Sequence, residues 1–120
     1  MKTGRRISGS KYKKSRKKKL FELPGQTRIV KLGEERRKHI LVRSGAKKVV
    51  LFKAIVINVV TKDGKAKKTK IKNVIETPSN KFLARQNILT KGTIVETELG
   101  KVRITNRPSQ EGVMNGILFE

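Results

Sequence analysis

The run KVVLFKAIVINVV, Lys48 to Val60, holds ten apolar residues in thirteen positions, and whether it is helix or strand governs the architecture of the whole chain. Seven of the ten are Val or Ile, side chains branched at Cβ that lose rotamer freedom in a helix and pack well on a pleated surface. The run therefore reads as strand. Thirteen residues exceed an ordinary strand, so a bend or bulge is expected near Lys53 and Ala54 or at Asn58.

Downstream, Thr61-Lys62-Asp63-Gly64-Lys65 carries an Asp-Gly hairpin signal. The returning strand, Ala66 to Ile75, places Lys68, Lys70 and Lys72 at a spacing of two, on one face, opposite Thr69 and Ile71. Thr77-Pro78-Ser79-Asn80 interrupts the pattern, and Ser79 is the expected cap of one or two helical turns through Phe82 to Gln86. Three short β segments follow at Asn87 to Thr90, Thr93 to Thr97 and Lys101 to Asn106, with Gly92 and Gly100 at turns. In the last two, apolar and polar residues alternate, so that Val95 lies opposite Ile94 and Glu96, and Arg103 opposite Val102 and Ile104. Arg107 to Gly112 is a loop, and Val113 to Phe119 is the last strand.

Upstream, Thr27 to Leu32 and His39 to Arg43 read as strands, separated by Gly33 and the charged run Glu34 to Lys38, which suits a helical turn as well. Ser44-Gly45-Ala46 is a turn. Leu20-Phe21-Glu22-Leu23, closed by Pro24-Gly25, is the expected anchor that joins the N-terminus to the body. Many short strands with little helical periodicity predict an all-β fold, a small antiparallel barrel of about six strands over residues 20–120. Closure is favoured over a sandwich because so short a chain fills two inner faces poorly, and because a barrel removes vulnerable edges.

The first nineteen residues differ in kind. Ten are Lys or Arg and none is acidic. Besides Met1, their only sizeable apolar side chains are Ile7 and Tyr12, each worth about 1.5–3 kcal/mol if buried. Fixing the backbone costs roughly 1–2 kcal/mol per residue. Residues 1–19 are thus expected to have no core of their own and to be disordered until a polyanion orders them. Gly4, Ser8, Gly9, Ser10 and Ser15 between the cations let such a chain follow a phosphate-lined groove. A solvated tail, a nuclear-import signal and a heparin-like patch share the same composition.

The net charge is +22, of which +10 lies in residues 1–19, while from Ile94 onward four acids face three bases. The chain is electrically one-sided, which argues for an anionic partner. The lysine-rich hairpin is the second basic feature, set against Asp63 alone; a solubilising edge strand is its other reading.

Chemistry has little to work with. The chain has no Cys and a single His39, which lies in an apolar strand; this removes thiol nucleophiles and Cys-based zinc sites and leaves no base oriented by a carboxylate. Glu96 and Glu98 read as solvated carboxylates balancing Lys91 and Lys101. Gly92 to Lys101 lacks the spacing of a nucleotide-binding phosphate loop. No apolar run approaches the roughly eighteen residues of a membrane span, and no signal-like segment follows the basic N-terminus. Neither a cofactor, a metal, a small-molecule substrate nor a membrane is expected as partner, and no enzyme activity. Binding by charge and shape remains, and structured RNA is recognised in that way.

Two segments carry a family resemblance. Thr3-Gly4-Arg5-Arg6-Ile7-Ser8-Gly9 leading through Lys17-Lys18-Lys19-Leu20-Phe21-Glu22-Leu23 resembles the N-terminus of the "eight-e" family of small-subunit ribosomal proteins of archaea and eukaryotes. Arg85 to Gly92, Glu96 to Lys101, Arg107-Pro108 and Gln110 to Val113 are similar to its C-terminal half. The short interval between Val60 and Asn80 resembles archaeal members. Pro24 departs from the pattern, in which Gly usually follows Phe-Glu-Leu. The resemblance implies a cytoplasmic protein of the ribosome, an antiparallel β-barrel on the small-subunit surface with its tail threaded into 16S-type ribosomal RNA, and neighbouring small-subunit proteins as further partners. It implies scaffold roles for Gly92, Gly100 and Gly112.

The candidate RNA-binding residues are Lys2, Arg5, Arg6, Lys11, Tyr12, Lys13, Lys14, Arg16, Lys17, Lys18 and Lys19 of the tail, with Arg36 and Arg37 of the charged run. To these are added Lys65, Lys67, Lys68 and Lys70 of the hairpin and, from the resemblance, Arg85 and Arg107. A protein that compacts DNA without sequence preference is the alternative use of the same charges.

Overall fold

The computed structural model describes residues 4–12 and 16–119. The run Lys48–Val60 is strand, as its branched side chains predict, but it serves two sheets. It breaks at Ile55 into β3 (Lys47–Ala54) and β4 (Val56–Val60), next to the bend expected at Lys53 and Ala54. β3 is the middle of a three-stranded sheet between β1 (Lys31–Leu32), its parallel neighbour, and β2 (Arg36–Leu41), its antiparallel one. β4 opens a closed five-stranded barrel completed by β5 (Ala66–Glu76), β6 (Ile94–Thr97), β7 (Gly100–Ile104) and β8 (Asn115–Leu118). Five strands close the ring, in keeping with the expected count of about six.

Each turn follows from its residues. Gly64 adopts φ +75° in the β4–β5 hairpin, which is closed by the Thr61 N–H donating to the Lys65 carbonyl at 2.9 Å. The Asp-Gly signal has its expected consequence. β5 is long enough to bend around the ring: Ala66 to Lys70 pair with β4, while Ile71 to Glu76 pair with β6. Its register slips between Ile71 and Asn73, so the buried Ile71 and Val74 are three residues apart instead of two. Such bulges let a small sheet close.

The ring closes through a parallel pairing, β4 against β8, with Val59 beside Gly116. All other barrel pairings are antiparallel, so the expected antiparallel barrel carries one parallel seam. Gly116 is demanded by space: a Cβ there would lie 2.5 Å from Val102 Cγ1 and 3.0 Å from the Arg103 carbonyl oxygen. Asn106 ties the seam down, accepting from the Asn115 N–H at 3.0 Å and donating to the Val113 carbonyl at 2.7 Å. Asn58 donates across the seam to Asn115 at 3.2 Å.

Inside, Ile57, Val59, Ile71, Val74, Val95, Val102 and Ile104 meet Val30, Leu51, Ala54, Leu89 and Met114 in one cluster. The core thus joins the barrel to the three-stranded sheet. The alternation predicted for β6 and β7 is observed, with Val95 and Thr97 inward on one and Val102 and Ile104 on the other. Thr97 pays its polar debt locally, donating to the Gly100 carbonyl at 2.9 Å.

Several expectations need correction. Only Lys31 and Leu32 of the predicted strand Thr27 to Leu32 pair in a sheet; Thr27 to Val30 is extended chain outside it. The charged run enters β2, with an irregular step between Arg36 and Arg37. The helix α1 (Lys81–Arg85) is capped by Asn80, whose Oδ1 accepts from the Phe82 N–H at 3.0 Å, and not by Ser79. Asn87 to Thr90 form a single bridge, Lys31 to Ile88, instead of a strand. Leu20, Phe21 and Leu23 do not anchor anything: they form a short 3-10 turn and its exit, 86%, 78% and 50% exposed. Leu23 is extended (φ −74°, ψ 145°) before Pro24, the conformation that a following proline imposes.

Candidate nucleic-acid interface

The described part of the tail is exposed throughout. Residues 5–11 form a small turn of their own: Arg5 bridges to Lys11, the Arg6 N–H donates to the Ser10 carbonyl at 2.9 Å, and Gly9 takes φ +80°. Arg5 Nη1 donates to the Gly9 carbonyl at 2.9 Å, and the Arg6 guanidinium lies 5.5 Å from the centre of the Tyr12 ring. These bonds are local, and none of the residues involved is buried. The radius of gyration, 18.9 Å, exceeds the roughly 14 Å of a compact chain of this length, as expected of a tail held away from the body. Lys2, Lys13 and Lys14 lie outside the described residues.

Arg16 is the one tail cation with an acidic partner among the described residues. Its guanidinium forks onto Glu22, donating to Oε2 at 2.8 Å and Oε1 at 2.6 Å. The ion pair raises the pKa of Arg16 and, with the Lys19 N–H donating to the same carboxylate, lowers that of Glu22. Both groups are solvated, so the pair fixes the root of the tail more than it stabilises the fold. Lys17, Lys18 and Lys19 are exposed, Lys19 lying over the Phe21 ring at 5.9 Å.

On the barrel the hairpin lysines divide. Lys68 and Lys70 stand opposite Asn58 and Val56, whereas Lys67 stands opposite the fully buried Val59. Facing residues of paired strands lie on the same side, so Lys67 rises from the inner side at the barrel mouth while Lys68 and Lys70 occupy the outer face. Lys65 is exposed at the hairpin turn. Ala66 to Lys70 have β4 as their strand partner, and the pairing with β6 begins at Ile71, so the lysine-rich half also meets the description of a guarded edge. Glu98, from the β6–β7 turn, lines the same depression as Lys68 and Lys70. The hairpin is therefore less purely basic than its own sequence suggests.

Arg36 and Arg37 lie on β2, exposed, and Arg37 is ion-paired to Glu35. Arg85 closes α1 with its guanidinium 5.9 Å from the Phe82 ring centre. Arg107 stands at a different place, on a groove of about 460 Å³ whose rim also carries Arg28 and Lys91. Sequence reasoning missed Arg28 and Lys91, because they are 63 residues apart in the chain and no local pattern links them. His39 is exposed on β2. No group of three or more His, Cys, Asp or Glu is placed to hold a metal ion among the described residues, and no helix among them is long and apolar enough to cross a membrane.

Fold and charge together define a class: a small cationic β-barrel carrying a basic N-terminal extension. Within it, the chain belongs to the family described as Ribosomal protein S8e, whose model matches residues 1–119. It is 50% identical over 120 residues to a protein of Staphylothermus marinus named small ribosomal subunit protein eS8, an alignment covering 97% of this chain and 92% of that one. Proteins of the same name from Nanoarchaeum equitans (45% over 117 residues, 97% and 92% covered) and Methanocella arvoryzae (43% over 118 residues, 98% and 94% covered) are similar throughout.

Proposed function

We propose that this chain is a structural constituent of the small ribosomal subunit. In this reading it holds 16S-type ribosomal RNA through phosphate contacts from the tail and from Lys65, Lys67, Lys68 and Lys70. The observation that carries this is the exposure of the tail cations: the described ones project from the body, and Arg16 alone among them is neutralised by a carboxylate. An exposed run of cations gains little from water and much from a surface of dense phosphates, where each contact releases condensed counterions. Residues 1–19 then take their lasting order from RNA, and residues 20–120 fold without it. Arg36, Arg37, Arg85 and Arg107 add contacts from the body, and Tyr12 adds a stacking ring. The exposed Leu20, Phe21 and Leu23 suit a contact with a neighbouring subunit protein. The family's members are ribosomal proteins, and the described side chains form no catalytic constellation.

The test is equilibrium binding of the full chain to small-subunit ribosomal RNA across a salt series. With six to ten phosphates neutralised, the logarithm of affinity falls against the logarithm of salt with a slope of roughly −4 to −9. A slope near zero overturns the reading. Equal affinity for duplex DNA in competition supports the DNA-compacting alternative.

A further inference from the structure

The groove at Arg107 has a chemistry of its own. Its floor is apolar, built from Leu83 in the middle of α1, the buried Ile88, and the buried Pro108. Its rim is cationic: Arg28 comes from the extended chain before β1, Lys91 from the turn before β6, and Arg107 from the loop before β8. All three are exposed, and none has a carboxylate partner among the described residues. Ser79 and Ser109 add hydroxyls to the lining, and no acidic residue lines it. The volume, about 460 Å³, lies in the range of roughly 300–1,000 Å³ that takes small organic ligands.

The backbone around the groove is held firmly. The Leu89 N–H donates to the Val30 carbonyl at 2.8 Å and the Leu32 N–H to the Asn87 carbonyl at 3.0 Å, which ties two of its walls together. Asn87 takes φ +53° where the chain turns out of α1 toward Ile88, a left-handed conformation that asparagine tolerates better than most side chains. The groove has an apolar base and a basic rim.

We propose that this groove seats a single unstacked nucleotide of the ribosomal RNA, its base lying on the Leu83, Ile88 and Pro108 floor and its flanking phosphates held by Arg28, Lys91 and Arg107. The proposal rests on the RNA-binding reading above and gives it a site distinct from tail and hairpin. An unstacked base presents an apolar face with an anionic backbone on its rim, which is the complement of this surface. A double helix cannot enter a groove of this size, so the partner position is a bulge, loop or single-stranded junction.

Two measurements on the full chain test it. First, photo-crosslinking to 16S-type ribosomal RNA transcribed with 4-thiouridine places crosslinked nucleotides on the peptides that contain Leu83 to Lys91 or Arg107 to Ser109. Crosslinks confined to residues 1–19 and 65–72 overturn the proposal while leaving the general reading intact. Second, the triple variant Arg28→Gln, Lys91→Gln, Arg107→Gln lowers the salt slope by roughly 2 to 3 and reduces those crosslinks, with the tail's crosslinks kept. An unchanged slope in a variant that still binds overturns the groove alone; absence of salt-dependent binding in the unsubstituted protein overturns the RNA reading itself.

Discussion

The tail and the barrel put one chain to opposite uses. In the barrel, Val59, Val95 and Val102 are fully buried, and side chains branched at Cβ stiffen strands whose inner faces exclude water. In the described tail no residue is buried, and Ile7 is entirely exposed. The first region is dominated by its own packing, the second by exposed charge. On the proposed function, the comparison makes stability and affinity in this chain separable by position.

The sharpest way to break that separation is to delete residues 1–19. If six of the ten cations sit on phosphates, the salt slope becomes shallower by roughly 4 to 5, while the thermal midpoint of the remaining barrel stays within a few degrees. A barrel that unfolds on deletion removes the distinction. Next in size is Gly116→Ala. The new methyl group meets Val102, Ile57 and the Arg103 carbonyl oxygen, and overpacking of this kind costs typically 1–3 kcal/mol. Urea unfolding reads it as a lower midpoint at constant slope, with the salt dependence of RNA binding unchanged at temperatures where the variant is folded.

The smallest effect sits at the border between the regions. Glu22→Gln frees Arg16, leaves the unfolding midpoint nearly unchanged because the pair is solvated, and steepens the salt slope by at most about 0.7 to 0.9 if Arg16 gains a phosphate. The pH dependence has a definite sign. Because Glu22 has a lowered pKa in the folded chain, the ion pair is present above the ordinary carboxylate range and is lost as pH falls through the lowered value. An NMR titration of the Glu22 side chain in the full chain and in Arg16→Gln checks this: the titration midpoint rises in the variant.

How far these regions were legible beforehand depended on the range of the signal. The Asp63-Gly64 hairpin and the alternation in β6 and β7 are local, and they could be read directly. The run Lys48–Val60 reads as strand, but its apolar residues look alike on both sides of Ile55, so its division between two sheets shows only in the pairing partners. The run Glu34 to Lys38 resembles a solvated turn because β2 is an exposed strand with Lys and Arg where a core strand has Val. Leu20 to Leu23 misled in the opposite direction, since apolar residues normally find a core and these have none. The groove was invisible for the plainest reason: Arg28, Lys91 and Arg107 share no segment of sequence.

The parallel seam between β4 and β8 also orders events in time. Val56–Val60 is synthesised before its neighbour Asn115–Leu118, from which β5, β6 and β7 separate it along the chain. Until β8 arrives, the half-built sheet has two open margins, a condition in which nascent chains are prone to stick to one another. A ribosome stalled before Asn115 would therefore leave behind a basic, unclosed precursor, and β8 acts as the clasp that makes the barrel safe to release.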